Sequence, residues 1–203
     1  MAKGVFICVE GLDGCGKTTQ TKLLVRNLRK IGYDAIYTAE PTRGKIGRFI
    51  RRHCLHGKER LPAVVEALLF AADRFKHVED EVAPALEKGK IVVSDRYVYS
   101  SYAYQGAAGL NLEWIEKVNE NAICPHLAIF VDVEPEIAVK RLKPKKSVME
   151  DLETQRKVRE IYLNFASKGK LVRIDGNKPI KTVATDILKV VYEFLSKTNF
   201  KQA

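Results

Sequence analysis

Apolar residues occur along the chain in five short continuous runs rather than in an alternating pattern. The runs are Val5–Val9, Ala35–Thr38, Ile91–Ser94, Leu127–Val133 and Leu171–Ile174. Each run has the length of a strand, and its continuity indicates burial on both faces. Strands of this kind are typical of parallel sheets that helices cover on both sides. The pattern therefore predicts a five-stranded parallel sheet.

Segments with helical periodicity separate these strands. They are Thr18–Ile31, Ile46–Leu55, Pro62–Glu81, Leu112–Ala122, Pro135–Leu142, Val148–Ser167 and Ile180–Lys197. A first helical turn tolerates proline, as at Pro62 and Pro135, and glycine often follows a helix end, as at Gly32 and Gly89. Pro84 should kink or split the third long helical stretch. The alternation predicts an α/β doubly wound domain that spans residues 1–203.

Composition favours one soluble domain with a substantial core. The chain has 203 residues, of which 46% are hydrophobic. No stretch approaches the roughly eighteen apolar residues of a membrane span, and the apolar run near the N-terminus fits a strand better than a signal peptide. The cysteines lack the spacing of a metal site or a disulfide framework. We therefore expect a cytoplasmic protein with no membrane partner.

The formal net charge of +10 favours an anionic partner, which could be nucleic acid or the phosphates of a nucleotide. The basic residues fall in separate places, within 43–60, 140–146 and 156–159. A protein that reads nucleic acid would more often place them on one face with interleaved aromatics. Nucleic acid is therefore disfavoured, since dispersed lysines are usually a solvated surface.

A glycine-rich segment lies between the first strand and the first helix. It reads Gly11-Leu12-Asp13-Gly14-Cys15-Gly16-Lys17-Thr18 and matches the phosphate-binding pattern G-x-x-x-x-G-K-[ST] in the context that this pattern needs. Its backbone N–H groups and the N-terminus of the helix, which includes Thr19, are expected to hold the phosphates of a nucleoside triphosphate. Lys17 can reach the β- and γ-phosphates, and the Thr18 hydroxyl can bind Mg²⁺. An ordinary glycine-rich turn would not require this strand and helix on its two sides.

Ligands of such folds bind at the carboxyl ends of the strands, and polar residues follow two of the predicted strands there. After the second strand, Pro41 and Gly44 fix a loop from which Arg43 projects, and Arg43 could form a bidentate contact with an acceptor phosphate. A solvated loop arginine is the alternative interpretation.

After the third strand, Asp95 occupies a Walker-B-like position and can hold the water shell of Mg²⁺, while Arg96 comes within reach of a phosphate. If the next segment is helical, two pairs of polar residues share faces and would line one pocket. These pairs are Ser100 with Tyr104 and Ser101 with Gln105. A tyrosine-rich packing face is the alternative.

Three further features are weaker when each is taken alone. Phe70 and Arg74 lie four residues apart on one helical face, where they could stack on a nucleobase and bond its edge. A core phenylalanine beside a surface arginine is the commoner case. The basic segment 141–146, followed by an acidic patch that begins at Glu150, could form a lid over phosphates or be a solvated charge run. Cys15 could be activated by Lys17 and the helix N-terminus, although a small unreactive residue is the simpler interpretation.

Taken together, these motifs resemble the thymidylate kinase family of P-loop nucleoside monophosphate kinases nearly from end to end. The resemblance is carried by five segments: residues 10–19, Thr38 to Pro41, Leu69 to Arg74, Asp95 to Gln105, and Val131 to Glu136. The Asp-Arg-Tyr segment with its Ser-Ser-x-x-Tyr-Gln tail is the most specific to the family. The resemblance implies a P-loop NTPase fold with a small basic lid at about residues 141–152, and a homodimer packed through helices.

The resemblance also implies how the acceptor dTMP would bind. Phe70 would stack on thymine, Arg74 would donate to its O4 atom, and Ser101 and Gln105 would meet the base edge. Tyr104 would crowd the 2′ position of the sugar. The acceptor site that we predict comprises Asp13, Pro41, Arg43, Phe70, Arg74, Arg96, Ser100, Ser101, Tyr104 and Gln105.

For the phosphates and the donor, the resemblance implies that Arg43 and Arg96 hold the dTMP phosphate and that Arg141 lies on the adenine of ATP. Asp13 would contact the 3′-hydroxyl of dTMP and, with Thr18 and Asp95, the Mg²⁺ shell. Two departures from the family matter. Ala39 stands where members often carry arginine, and Gly14 leaves the P-loop without the arginine that some members use on the transferred phosphoryl group. The lid cations Arg141, Lys143, Lys145 and Lys146 would have to supply that charge.

The sequence therefore predicts an enzyme that uses ATP and Mg²⁺ to convert dTMP to dTDP, for the supply of dTTP. Alignment and charge stabilisation would carry the catalysis. The catalytic set that we predict is Lys17, Asp13, Arg96, Arg141, Lys145 and Lys146. The alternatives are another P-loop nucleotide or deoxynucleoside kinase and, less favoured, a P-loop switch protein that transfers no phosphate.

Overall fold

The computed structural model describes residues 4–56, 61–142, 149–198 and 200, and its centre is a parallel five-stranded sheet. The strands are β1 (Val5–Glu10), β2 (Ala35–Ala39), β3 (Ile91–Asp95), β4 (Leu127–Asp132) and β5 (Val172–Asp175). Their order across the sheet is β2-β3-β1-β4-β5. Each predicted strand is confirmed, and its ends differ from the prediction by no more than one residue.

The middle of the sheet is buried on both faces. Every residue of β1, β3 and β4 is buried, which explains why their sequences are continuous apolar runs. The register aligns Val9 of β1 and Ala39 of β2 with Asp95 of β3. The carboxyl ends of these strands therefore open at one edge of the sheet, where the P-loop follows β1.

Helices occupy the connections between the strands. They are α1 (Lys17–Lys30), α2 (Lys45–Ile50), α3 (Ala63–His77), α4 (Ala83–Glu87), α5 (Val98–Ala107), α6 (Leu112–Val118), α7 (Pro135–Arg141), α8 (Leu152–Ser167) and α9 (Ile180–Lys197). Helix α1 packs against α9, whereas α5 packs against α3 and α8. The chain thus has the predicted P-loop NTPase architecture, with helices flanking a parallel sheet. None of the helices in the described part of the chain combines the length and the apolar character needed to cross a membrane.

The third predicted helix extends further than its periodicity indicated. After α3, a π-helical turn at Val78–Val82 leads directly into α4, so helix continues to Glu87 rather than ending at Glu81. The interruption lies just before Pro84, as expected for a residue that has no N–H to donate. A second π-helical turn, Arg51–Leu55, continues α2.

Two other helix ends differ from the prediction, and side-chain hydrogen bonds explain both. Helix α6 ends at Val118 instead of Ala122, because the side chain of Asn119 turns back and donates to the Ile115 carbonyl at 2.8 Å. Helix α8 begins at Leu152, where the carboxylate of Asp151 caps the Thr154 N–H at 2.9 Å. The residue at which we predicted its start, Val148, lies outside the described residues.

Candidate active site

The P-loop connects β1 to α1 through residues 11–16, with Gly14 and Gly16 in the left-handed region at φ 80° and 91°. A side chain at Gly14 would collide with the carbonyl oxygen of Ala138 in α7. Gly16 caps the N-terminus of α1, where no side chain blocks the free N–H groups. The close packing at Gly14 also explains why this P-loop carries no arginine there.

Lys17, at the start of α1, lies folded over the P-loop. Its ammonium group donates to the Leu12 carbonyl at 3.0 Å and lies 3.5 Å from Oδ1 of Asp13. The side chain is buried, so its charge is held at the mouth of the loop where phosphates would bind.

Thr18 and Asp95 meet at the ends of the P-loop and β3. The Thr18 hydroxyl donates to Oδ2 of Asp95 at 2.5 Å, and the Tyr37 hydroxyl lies 3.4 Å from the same oxygen. The other carboxylate oxygen of Asp95 is buried without a hydrogen-bond partner among the described residues. A hydroxyl and a carboxylate with a free oxygen are ligands that fit Mg²⁺. In the described ranges, no group of three His, Cys, Asp or Glu side chains could hold a metal by itself.

Asp13 and Arg96 form the centre of the site. Nη2 of Arg96 donates to Oδ1 of Asp13 at 2.5 Å, and the Tyr104 hydroxyl donates to Oδ2 at 3.0 Å. Burial by itself would raise the pKa of Asp13. The charges of Arg96 and Lys17 outweigh it, together with the Tyr104 hydrogen bond, and lower this pKa from 3.8 to about 2. Both carboxylate oxygens of Asp13 are thus engaged, one by Arg96 and the other by Tyr104. We also predicted Asp13 as a residue of the metal shell.

Arg96 is held from several sides and adopts a left-handed backbone conformation, with φ 71°. Its Nη1 atom donates to the Gly11 carbonyl at 3.1 Å and to the Ser100 hydroxyl at 3.0 Å. The guanidinium carbon lies 4.9 Å from the centre of the Tyr104 ring. A non-glycine residue in this region is uncommon and is often found at functional sites, where surrounding contacts hold it.

Glu10 lies beside Arg96 and Ser100, although the sequence analysis gave it no role. It is fully buried and accepts hydrogen bonds from the Tyr97 N–H at 2.8 Å, the Ser100 hydroxyl at 2.6 Å and the Tyr162 hydroxyl at 3.0 Å. Burial raises the pKa of this carboxyl, while its hydrogen bonds and Arg96 act in the opposite direction. In the sequence, the position of Glu10 as an acidic residue at the end of an otherwise apolar strand could have indicated its importance.

A cavity of about 150 Å³, here called the Arg96 cavity, opens beside Arg96. In other proteins an apolar cavity of about this volume accepts a ring the size of benzene. It brings together most of the predicted acceptor residues, since its walls are Asp13, Pro41, Leu55, His56, Phe70, Arg96, Ser100, Ser101, Tyr104, Gln105, Met149 and Glu150. The Oε1 atom of Gln105 is buried, and no residue in the described part of the chain donates a hydrogen bond to it.

Arg74 lies behind this cavity and does not line it. Only 1% of its surface is exposed. It donates to the Glu40 carboxylate at 2.8 Å and 3.1 Å, to the Asn119 side chain at 2.6 Å and to the Ser101 hydroxyl at 3.0 Å. His77 lies 3.0 Å from the other oxygen of Glu40. Arg74 therefore supports the cavity wall through Ser101.

Arg43 is also placed apart from the Arg96 cavity. It lines a second cavity of about 370 Å³, together with Tyr37, Thr38, Ala39, Pro41, Thr42, Arg51 and Glu81. The Asp73 carboxylate holds this loop by accepting from the N–H and the hydroxyl of Thr42, both at 2.6 Å. Arg51, which the sequence analysis did not select, donates to the carbonyls of Pro41 and Thr42. Pro41 borders both cavities.

The third cavity, of about 500 Å³, lies on the other side of the P-loop. Arg141, which we predicted against the adenine of ATP, lines it at the end of α7. The P-loop and α1 contribute Gly14, Cys15, Gly16, Thr19 and Gln20. The remaining lining residues, to which the sequence analysis gave no role, come from the β5–α9 connection and the start of α9: Gly176, Asn177, Lys178, Pro179, Ile180 and Val183.

The predicted lid is only partly described. Lys143, Lys145 and Lys146 lie outside the described residues. Gln155 of α8 connects the far end of this segment to the P-loop, because it donates to the Met149 carbonyl at 2.8 Å and accepts from the Asp13 N–H at 3.2 Å. The thiol of Cys15 is buried, and burial raises its pKa, so the environment does not favour an activated thiolate.

Comparisons with known proteins identify the family to which the chain belongs. Residues 9–187 match the family model described as thymidylate kinase. The chain is 44% identical over 197 residues to a probable thymidylate kinase of Pyrococcus abyssi, with 93% of this chain and 96% of that protein covered. It is 41% identical over 202 residues to a thymidylate kinase of Caldanaerobacter subterraneus subsp. tengcongensis, with 95% and 97% covered. A probable thymidylate kinase of Thermococcus onnurineus is 43% identical over 204 residues, with 95% and 100% covered. The chain belongs to the thymidylate kinase family.

Proposed function

We propose that this protein transfers the γ-phosphoryl group of ATP to dTMP and so forms dTDP and ADP. One relationship supports the proposal most directly. Arg96 and Asp13 belong both to the P-loop surroundings and to the wall of the neighbouring cavity, since Arg96 bonds the Gly11 carbonyl and packs on Tyr104. A nucleoside triphosphate on the P-loop and a second phosphate beside Arg96 would therefore lie next to each other, as an in-line transfer requires.

The acceptor base would enter the cavity that Phe70 and Gln105 line. Phe70 offers a ring face for stacking. The free Oε1 atom of Gln105 can accept from the N3–H of thymine, whereas cytosine has an acceptor at N3. Arg74 is the predicted partner of the thymine O4 atom. Because it donates to the Ser101 hydroxyl, it would act on the base through Ser101.

The donor nucleotide would lie on the opposite side of the P-loop, in the cavity that Arg141 lines. Thr18 and Asp95 are the residues that would hold Mg²⁺ with the nucleotide phosphates and water. When bound, Mg²⁺ neutralises charge on the phosphate oxygens. Lys17 would leave the Leu12 carbonyl for the phosphates, and Arg96 would hold the acceptor phosphate. Fixed cations that surround the developing charge are the main catalytic device available to these residues.

Arg43, in the loop after β2, and Arg51, in the π-helical turn after α2, bring two guanidinium groups to the cavity that adjoins the Arg96 cavity at Pro41. We propose that they add to the field that attracts the dTMP phosphate. We also propose that Lys143, Lys145 and Lys146 contribute positive charge from a lid at about residues 141–152, within a single kinase domain. A cytoplasmic setting also remains a prediction.

A homodimer packed through helices is the assembly that we propose. Helices α2 and α3 pack against each other, and together they expose a set of apolar side chains that supports this assembly. Phe49, Val64, Val65 and Leu68 are between 41% and 48% exposed, and clustered apolar side chains of this kind often mark an interface. Sedimentation of Leu68→Glu should then show a monomer, whereas Tyr192→Glu, on the exposed face of α9, should sediment like the wild type. A wild-type monomer at micromolar concentration would refute the dimer.

The activity is tested by measuring ADP release with Mg²⁺, ATP and a panel of nucleoside monophosphates. We expect dTMP to give the highest kcat/KM. Lys17→Ala should lose activity by about 10²–10³-fold or more, whereas exposed Lys170→Ala should not. Preference for another monophosphate would indicate a different kinase, and acceptor-independent ADP release would favour a P-loop switch protein.

A further inference from the structure

A basic groove of about 520 Å³ runs between α1 and β2, apart from the P-loop and the Arg96 cavity. Its walls are Lys22, Val25, Arg26, Arg29, Lys30 and Tyr37. The cations lie on one face of α1, because they are separated by three or four residues or are adjacent. From Lys22 to Lys30 the helix extends roughly 12 Å. The volume falls within the range of small-molecule sites, which is about 300–1,000 Å³.

The cations of this groove lack acidic partners. Elsewhere on the described surface, several exposed cations face carboxylates, as Lys76 does with Asp80 at 2.7 Å and Lys117 with Glu120 at 2.6 Å. Within the described ranges, no ion pair involves Lys22, Arg26, Arg29 or Lys30. Arg29 donates through Nε to the Ala35 carbonyl at 2.7 Å, which leaves the rest of its guanidinium for another partner.

Like charges on successive helical turns repel each other. The C-terminus of α1 offsets this repulsion for Arg29 and Lys30, but Lys22 and Arg26 lie before the last turn. A solvated surface would more often intersperse acidic residues among the cations. An anion in the groove would relieve the repulsion and could bond several donors at once. The groove therefore has the charge of an anion site.

Tyr37 gives the groove an aromatic end. Nζ of Lys22 lies 5.6 Å from the centre of the Tyr37 ring, and 36% of this residue is exposed. An exposed ring beside cations can stack on a nucleobase while the cations hold its phosphates.

We propose that this groove binds a nucleoside triphosphate at a site separate from the catalytic one, with the polyphosphate on α1 and the base on Tyr37. The four cations match the roughly four negative charges of a triphosphate. They also lie within one short stretch of helix, whereas a nucleic acid strand would need a longer basic track. The groove shares no residue with the P-loop cavity or the Arg96 cavity, and shares only Tyr37 with the Arg43 cavity.

The test is calorimetric titration with inorganic tripolyphosphate at low salt, which measures binding rather than turnover. We expect two classes of site in the wild type, at the P-loop and in the groove. Lys22→Glu/Arg26→Glu should weaken the groove class by about 100-fold, since each reversed charge removes an attraction and adds a repulsion. The matched control Lys170→Glu/Lys189→Glu has the same net charge and should keep both classes.

A further variant separates the base from the phosphates. Tyr37→Leu should weaken ATP binding in the groove by about tenfold relative to Tyr37→Phe, which keeps the ring but also lacks the hydroxyl near Asp95, and both should leave tripolyphosphate binding there unchanged. The KM for ATP in the two double variants shows that the P-loop site is intact, and Lys22→Gln/Arg26→Gln replaces the charge reversal if that variant does not fold.

Three outcomes would overturn the proposal. A single class of tripolyphosphate sites in the wild type would show that the groove is empty of such ligands. Equal weakening in the variant and its matched control would show a general effect of net charge. Binding of a single-stranded oligonucleotide that depends on Lys22 and Arg26, without tripolyphosphate binding, would assign the groove to nucleic acid instead.

Discussion

The guanidinium of Arg96 and the carboxylate of Asp13 form an ion pair with Nη2 and Oδ1 2.5 Å apart, although the two residues are far apart in the sequence. The pair joins the P-loop to the segment after β3. It also places a cation and an anion at the boundary between the P-loop and the acceptor cavity. Both the charge state of Asp13 and the orientation of Arg96 depend on this contact.

The ion pair should make stability depend on acid pH. Because the pKa of Asp13 is lowered from 3.8 to about 2 in the folded state, its charged form stabilises the fold above pH about 4. That contribution, at most about 2.5 kcal/mol, is lost as the pH falls from about 4 to about 2. Asp13→Asn should therefore unfold more easily than the wild type at pH 6, and the difference should shrink toward pH 2.

Urea unfolding of both proteins across this pH range measures the effect. A difference in the free energy of unfolding that stays constant from pH 6 to pH 2 would contradict the assignment of the low pKa to Asp13.

Gln105 should select the base of the acceptor. In the proposed complex its unpartnered Oε1 atom accepts from the thymine N3–H, so Gln105→Leu should lower kcat/KM for dTMP by about 10–100-fold. The same variant should change the low activity with dCMP much less, because cytosine has no N3–H to donate. Wild-type kcat/KM values that are equal for dTMP and dCMP would show that this pocket does not read the base.

Tyr104 should select the sugar, because its ring lines the acceptor cavity and its hydroxyl bonds Asp13. We expect dUMP to be preferred over UMP, two acceptors that share one base. Tyr104→Ala should reduce this preference, whereas Tyr104→Phe should retain it, since the ring stays in place. If Tyr104→Ala left the ratio of the two kcat/KM values unchanged, the ring would have no role in sugar selection.

Arg74 and Glu40 should be coupled in stability. The pair is buried, so Arg74→Ala removes the guanidinium partner of the Glu40 carboxylate, leaves it the contact with His77, and should cost about 3–5 kcal/mol. Adding Glu40→Gln removes that charge, and the double variant should recover part of the loss. Chemical unfolding of the four proteins in this cycle gives the coupling energy, and strictly additive effects would argue against a buried ionic pair.

The sheet and the position of the site could be predicted because both follow from local patterns. Continuous apolar runs give the strands, and the residues after β1 and β3 meet because parallel strands end at one edge. Glu10 and Gln155 could not be assigned in this way. Their partners lie far away in the sequence, so a single polar residue in a strand or helix carries no signal of what it bonds.

The sequence also could not show which of the predicted acceptor residues line the Arg96 cavity and which lie apart from it. The sequence placed Phe70 and Arg74 on one helical face, but whether Arg74 lines the cavity depends on Glu40 and Asn119, which draw its guanidinium behind the wall. Likewise, the direction of the Arg43 loop depends on its anchor at Asp73, in another element. Such choices are made by tertiary contacts between elements that local periodicity does not relate.

The lid should supply the cation that the P-loop lacks. Gly14 packs against the Ala138 carbonyl, so no side chain from that position can approach the transferred phosphoryl group. A cation from the segment 141–146 must then do so, and the contact should form mainly in the closed transition state. Arg141 lines the cavity that we propose for the donor nucleotide, so Lys145 or Lys146 is the candidate for the phosphoryl group. Alanine at the active position should lower kcat by about 10²-fold and leave the affinity for dTMP nearly unchanged. Single changes at Arg141, Lys143, Lys145 and Lys146 identify it by steady-state kinetics. If the combined variant kept full kcat, Lys17 and Arg96 would be sufficient for the charge on the phosphoryl group.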